Sequence, residues 1–340
     1  MVKKLVSVCI PAYNESDCIE ELCERLKAVF DGLSDRYECE AIVCENGSHD
    51  DTYEKLLRCH RDDPRVKIVR LSRNFYAEGG VTAALAHARG DCAVIMNADL
   101  QDPPEYIPAF LEKWEEGYEN VYAIVAKRTG ESRARRVLAH GYYWAMSRLS
   151  ESPAPPHVSD FRLIDRMAYE IYLRMPERLK VMRYVWPWIG FRSIGIATER
   201  PVRGGGRSKF RFFQTLHGAF LHILVQSRAA LTIIPIFGVG LALLSFTSLA
   251  AAVVRACFFG VPFDGFGTIV SLMLGLFGLL FLFLWIIGEY VGMIFQEVRQ
   301  RPTFIVSRTH GLDGREAVGG GFSVAPPSDL RVDRLFTYSR

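Results

Sequence analysis

Over the first 126 residues, short apolar runs alternate with segments whose apolar positions recur every three to four residues. Residues 4–10 read as a strand. After a polar loop, Ile19, Leu22, Leu26 and Val29 form the stripe of a helix packed on one side, with Asn14 or Ser16 as its cap. The couplet then repeats. A strand at 39–44 precedes a helix at about 51–59, a strand at 66–71 precedes a helix reaching His87, and strands follow at 93–96 and 118–126. Strand–helix alternation at this spacing predicts an α/β fold with a doubly wound, mostly parallel sheet.

Beyond residue 228 the pattern changes. Residues 229–254 and 265–288 carry no charged side chain, and about 20 apolar residues suffice to cross a bilayer, so both read as transmembrane helices. Ten residues join them, which makes a hairpin with both ends on one side. Basic residues gather on the outer flanks (Arg203, Arg207, Lys209, Arg211 and Arg228 before, Arg299, Arg301 and Arg308 after), which places those flanks in the cytoplasm. From 210 to 226, Phe213, Leu216, Phe220, Ile223 and Leu224 share one face, the pattern of an interfacial helix feeding the first span. A basic, aromatic helix at 132–149 suits either a membrane surface or solvent. The predicted organisation is a cytoplasmic domain at 1–209, an interfacial helix at 210–228, a transmembrane hairpin at 229–290 and a cytoplasmic segment at 291–340, whose last 22 residues read as a loosely ordered tail.

Composition adds exclusions. With 340 residues and a formal net charge of +3, the chain has no electrostatic footing for nucleic-acid binding. Seven of its eight cysteines fall in the first third without a Cys-x-x-Cys pair, so they read as small core residues in a reducing compartment. The apolar run near residue 5 is too short for a signal peptide. No Gly-x-Gly-x-x-Gly follows the first strand and no P-loop is present, which argues against a dehydrogenase or an NTPase.

The chemistry gathers where the strands end. Four polar clusters follow four strands: Tyr13-Asn14-Glu15, Glu45-Asn46-Gly47-Ser48, Arg73-Asn74 and Asn97-Ala98-Asp99. In an open α/β sheet, ligands bind beyond the carboxyl ends of the strands, so four such clusters predict a cleft. In the last, Asn97, Asp99, Gln101 and Asp102 offer carboxylate and amide oxygens, donors that suit Mg²⁺ or Mn²⁺. Asp165 is open as a charge partner of Arg162 or Arg166.

Taken in order, Ser7-Val8-Cys9-Ile10-Pro11-Ala12-Tyr13-Asn14-Glu15, Glu45-Asn46-Gly47-Ser48-x-Asp50, Leu71-Ser72-Arg73-Asn74-Phe75 and residues 96–105 resemble the GT-A-fold glycosyltransferases of family 2. The resemblance is strongest to the polyprenyl-phosphate branch, the bactoprenol glucosyltransferases and dolichol-phosphate mannose synthases. It continues through Asp160-Phe161-Arg162-Leu163-Ile164-Asp165-Arg166, Trp188-Ile189-Gly190-Phe191-Arg192 and Arg200-x-x-Arg203-x-x-Gly206-x-Ser208-Lys209, to about residue 305. It implies that Pro11, Tyr13, Asn14, Glu15, Glu45, Asn46, Gly47 and Ser48 hold the nucleoside of a nucleotide sugar. It implies that Asn97, Asp99 and Gln101 carry the metal beneath the diphosphate, and that Asp160, with Asp99, is catalytic. Arg128, Arg162, Arg200, Arg203, Ser208 and Lys209 would hold the acceptor phosphate. The implied reaction is inverting transfer of a hexose, UDP-glucose-like, to undecaprenyl phosphate at the inner face of a bacterial-type plasma membrane. Another sugar, or a catalytically silent sugar-nucleotide or lipid-binding scaffold, stays open, as does self-association through the anchor. Two departures stand out. The family usually has Asp-Asp where this chain has Glu45-Asn46, and Asp where it has Asn97.

Overall fold

The computed structural model describes residues 3–125, 158–177, 180–199, 266–312 and 322–323, with single positions at 240, 243, 247, 254 and 258. In chain order the elements are β1 (Lys4–Ala12), α1 (Ile19–Leu33), β2 (Tyr37–Glu45), α2 (Thr52–Asp62), β3 (Val66–Leu71), α3 (Tyr76–His87), β4 (Cys92–Ile95) and α4 (Ile107–Glu115). They continue with β5 (Asn120–Val125), β6 (Val158–Asp165), α5 (Arg166–Arg174), α6 (Met182–Ile189), β7 (Ser193–Thr198), α7 (Phe266–Val298), β8 (Ile305–His310) and β9 (Phe322–Ser323).

Among the described residues the nine strands form one sheet in the order β7-β5-β6-β4-β1-β2-β3-β8-β9. The four strands predicted from residues 4–96 lie side by side and parallel, as expected. The sheet as a whole is mixed, because β6 runs antiparallel to both β4 and β5, and β8 antiparallel to β3. Alternate side chains explain the two-sided winding. Val6, Val8, Ile10, Val43 and Val94 face α1, α2 and α4 in one core, while Cys9, Ile42, Cys44, Ala93 and Ile95 face α3, α5 and α6 in the other. On α1 the expected stripe is buried completely at Ile19, Leu22 and Leu26, each contributing about 1.5–3 kcal/mol against exposure.

The segment after the second predicted span does more than trail away. Phe304, Val306 and Leu312 are buried in the second core, and the Ser72 N–H donates to the Ile305 carbonyl at 3.0 Å. Phe322–Ser323, within the expected loose tail, pairs with β8. Asp165 is neither an Arg162 nor an Arg166 partner among these contacts. It caps α5 through the Met167 N–H and accepts the Trp114 indole N–H at 2.9 Å.

The long helix α7 belongs to a second compact unit. Its stretch Gly275–Val298, 24 residues, is long and apolar enough to cross a membrane. Phe277, Phe281, Trp285, Ile294 and Phe295 are exposed around it, which water does not favour. Only single positions of the first predicted span are described. The helices expected at 132–149 and 210–228 lie outside the described residues.

Candidate active site

The chain leaves β1 for β2 and β3 on one side, then returns to β4 on the other, so the order reverses between β1 and β4. The crevice at that switch point is framed by the loops after β1 and β4, with the loops after β2 and β3 beside them. Three of these loops hold a residue in the left-handed region, Asn14 (φ 52°), Gly47 (φ 69°) and Leu100 (φ 61°), and the fourth leads into one, Tyr76 (φ 62°), the first residue of α3. Such backbone costs about 1–2 kcal/mol for a residue with a Cβ and persists where surrounding contacts over-determine it.

Those contacts are explicit. The Asn14 N–H donates to the Ser48 hydroxyl (3.0 Å), and the Asn14 side-chain oxygen accepts the His49 N–H (2.8 Å). The Glu15 N–H reaches the Thr52 hydroxyl and the Ser16 N–H reaches Asp50, so the first two loops are laced together. Burial pushes the Asp50 carboxyl up, but hydrogen bonds from Thr52 and Ser16 outweigh it and hold it below the usual range. Tyr13 lies edge-on to His49, ring centres 6.4 Å apart. Gly47 is required by packing as well as by φ, since a Cβ there would stand 2.6 Å from the Arg73 carbonyl carbon.

Glu45 and Asn46 turn out to be internal supports of this wall. Glu45 is fully buried, its carboxylate accepting from the Ser48 N–H and pairing with Arg70 Nε at 3.0 Å. Asn46, 2% exposed, spends both ends of its amide: Oδ1 accepts the Phe75 N–H (2.9 Å) and Nδ2 donates to the Tyr76 carbonyl (2.7 Å). A carboxylate here could accept but not donate, which accounts physically for an amide where the family usually has an acid. Asn46→Asp should therefore cost about 1–3 kcal/mol and lower the thermal midpoint, through an unsatisfied Tyr76 carbonyl and a buried charge. A denaturation curve beside a nucleotide titration checks it, and an unchanged midpoint would refute the clamp.

After β4 the loop closes on Asp102, 2% exposed, whose Oδ2 accepts both the backbone N–H (3.0 Å) and the side-chain Nδ2 (2.7 Å) of Asn97. With its nitrogen committed, Asn97 presents the oxygen end of its amide to any ligand. Asp99 accepts the Gln101 N–H at 3.2 Å and is half-buried. Among the described residues no three His, Cys, Asp or Glu side chains cluster as a ready-made metal cage. One carboxylate and one oriented amide oxygen nevertheless fit a hard divalent cation that completes its shell with water and phosphates.

Asp160 comes from β6. The β4–β6 register pairs Ile95 with Arg162, so Asp160, two residues earlier on antiparallel β6, lies toward the sheet edge where β4 runs out into its loop. Arg162, expected at the acceptor phosphate, is instead buried. Its guanidinium donates to the Ser159 carbonyl (3.0 Å) and the Asp160 carbonyl (3.4 Å), and desolvation lowers its pKa to about 10, still charged at neutral pH. Among the described residues, Arg183 on α6 faces the Asp160 carboxylate, at 3.4 Å. Glu78, on the first turn of α3, is close enough for Asp160 to raise its pKa, in addition to the larger push from desolvation by surrounding protein. Sequence reading missed Arg183 and Glu78 because neither stands at a strand end. Arg128, Arg200, Arg203, Ser208 and Lys209 lie outside the described residues.

Polar oxygen donors gathered at the switch point of an α/β sheet suit a ligand rich in hydroxyls and phosphates. The profile of Glycosyl transferase family 2 matches residues 7–173. An uncharacterised glycosyltransferase of Synechocystis, sll0501, is 35% identical over 309 residues, covering 91% of this chain and 96% of that one. The bactoprenol glucosyl transferase of Shigella phage SfII is 30% identical over 305 residues, covering 90% and 98%. The chain belongs to glycosyltransferase family 2 and is a glycosyltransferase. Among solved structures, mannosyltransferase PcManGT of Pyrobaculum calidifontis, in complex with GDP-Man and Mn²⁺, aligns with TM-score 0.42 at 18% identity over 87% of this chain and 88% of that one.

Proposed function

We propose that this enzyme transfers a hexose, with inversion, from a nucleotide sugar to a polyprenyl phosphate at the cytoplasmic face of a membrane. UDP-glucose is the favoured donor and undecaprenyl phosphate the favoured acceptor. What supports the chemistry is that Asn97 and Asp99 follow β4 at the switch point, while Asp160 lies toward the same edge of the sheet on β6. The acceptor class follows the bactoprenol relatives, which match nearly end to end. Apolar α7 supports a membrane seat for an enzyme whose acceptor is a lipid.

In this reading the loops after β1 and β2 cradle the nucleoside through Pro11, Tyr13, Asn14 and Glu15 and the backbone of Gly47 and Ser48. Glu45 and Asn46 hold that wall in shape. Asn97 and Asp99, with Gln101 beside them, would hold Mg²⁺ or Mn²⁺, which when bound offsets charge developing on the departing diphosphate. An acceptor phosphate oxygen forms the new bond to sugar C1, and the old C1–O bond breaks with its electron pair leaving on the nucleoside diphosphate. The phosphate's second pKa is about 6, so at neutral pH the attacking oxygen is already unprotonated. Asp160 then serves to position the sugar and the cations around it.

The test is incubation of purified full-length protein with undecaprenyl phosphate, Mg²⁺ or Mn²⁺, and a panel of UDP- and GDP-sugars. Matched release of nucleoside diphosphate and glycolipid from one donor, lost with EDTA, is the expected result. Donors left intact despite measurable nucleotide binding would overturn it in favour of a silent scaffold.

A further inference from the structure

We infer that Arg183, together with the indole N–H of Trp186, binds the phosphate of the acceptor, with the Arg183 guanidinium shared between that phosphate and Asp160. The inference deepens the transfer reading above and rests on it. It begins from Arg162. That side chain was the described cation expected to meet the phosphate, yet it is 2% exposed and donates to two backbone carbonyls. Two of its guanidinium nitrogens are thereby committed to the backbone of β6.

Arg183 is placed differently. Its side chain is about one-third exposed, and it approaches the Asp160 carboxylate at 3.4 Å, longer than the 2.7–2.9 Å of a tight charge-assisted bond. A guanidinium has donors for two acidic partners at once. The need for it is electrostatic. A phosphate dianion brought beside the Asp160 carboxylate is repelled unless a cation such as Arg183 stands between. Lys180, whose ammonium lies 4.7 Å from the centre of the Tyr172 ring, adds positive charge to the same wall.

Trp186 supplies an independent observation. It lies three residues after Arg183 on α6 and therefore shares its face. Its ring is 2% exposed and stacked on Tyr172, with centres 4.9 Å apart. Its indole N–H is buried and has no acceptor among the described residues. A buried donor left open is rare in native folds and marks a place where a ligand or water oxygen belongs. Guanidinium and indole N–H on one helix face give a phosphate two of the donors it needs. No proton moves in this binding step, and both groups stay protonated.

Citronellyl phosphate, a short prenyl phosphate, is the probe, used with the full chain in detergent. Arg183→Met should raise its KM by ten- to a hundred-fold, the loss of a charged hydrogen bond, while nucleotide-sugar affinity stays within about twofold. Arg183→Lys should recover part of the loss, and Trp186→Phe should raise KM about three- to tenfold. The same Arg183→Met increase should persist in an Asp160→Asn background. Citronellol should not compete, and inorganic phosphate should compete only weakly. A lower kcat at unchanged acceptor KM, or an effect that vanishes in Asp160→Asn, would show that Arg183 merely positions Asp160 and would overturn the inference. Inorganic phosphate binding as tightly as citronellyl phosphate would overturn the lipid source. Binding of citronellyl phosphate, followed by calorimetry without donor, separates this inference from the transfer reading. If wild type transfers nothing yet binds the probe, only the transfer reading fails. If Arg183→Met and Arg183→Lys both bind the probe like wild type, this one fails.

Discussion

Replacement of Asp99 by alanine should abolish glycolipid synthesis, lowering kcat by on the order of 10³-fold or more with the fold intact. Asp99 is half-buried and accepts the Gln101 N–H. It is the main anionic donor in a loop where the neighbouring position is an amide. Without it a divalent cation would be left with the Asn97 oxygen and neutral partners. Charge stabilisation by such a cation is worth several kcal/mol, and each 1.36 kcal/mol is about tenfold in rate. Asn97→Asp should act in the opposite direction on metal affinity, but it also places a carboxylate where Nδ2 now bonds Asp102, two acids facing each other. Its benefit should therefore appear only at raised metal concentration. Steady-state transfer across a Mg²⁺ and Mn²⁺ titration reads both variants. Retention of wild-type kcat and metal dependence in Asp99→Ala would remove the metal role from this loop.

Phe304→Ala should be the most damaging single change far from the chemistry. The ring is completely buried against the second core, which contains Leu71, Phe75 and Val306. Truncating a buried Phe costs about 3–5 kcal/mol, against a typical net stability of about 5–15 kcal/mol. For a domain of roughly 200 residues, each kcal/mol is about 2–4 °C, so the midpoint should fall by roughly 6–20 °C. Nucleotide affinity should weaken too, because β8 braces β3 and the loop where Asn46 holds Phe75 and Tyr76. Arg308→Ala, on the exposed side of the same strand, should leave both quantities near wild type. Equal melting curves for Phe304→Ala and wild type would mean that β8 does not brace the sheet.

Much of this was legible in the residues. The four parallel strands declared themselves as short apolar runs because each is covered by helices on both faces. The stripe Ile19, Leu22 and Leu26 announced α1, and the polar ends of the strands announced the crevice. Strand β8 was not legible, because its consecutive polar residues, Ser307-Arg308-Thr309, equally suit a loop. Glu45 and Asn46 read as ligand groups because acids and amides after a strand commonly are. Only their burial and their bonds to Arg70, Phe75 and Tyr76 show them holding the wall.

By itself, then, the sequence determined the α/β class and the family, since these depend on periodicity and on ordered local motifs. The tertiary structure alone decided three things: which end of the Asn97 amide faces outward, which arginine meets Asp160, and how the chain beyond α7 rejoins the sheet. Each depends on partners distant in sequence or on the direction of a hydrogen bond. Local pattern encodes what a residue can offer, and the fold decides which offers are already taken.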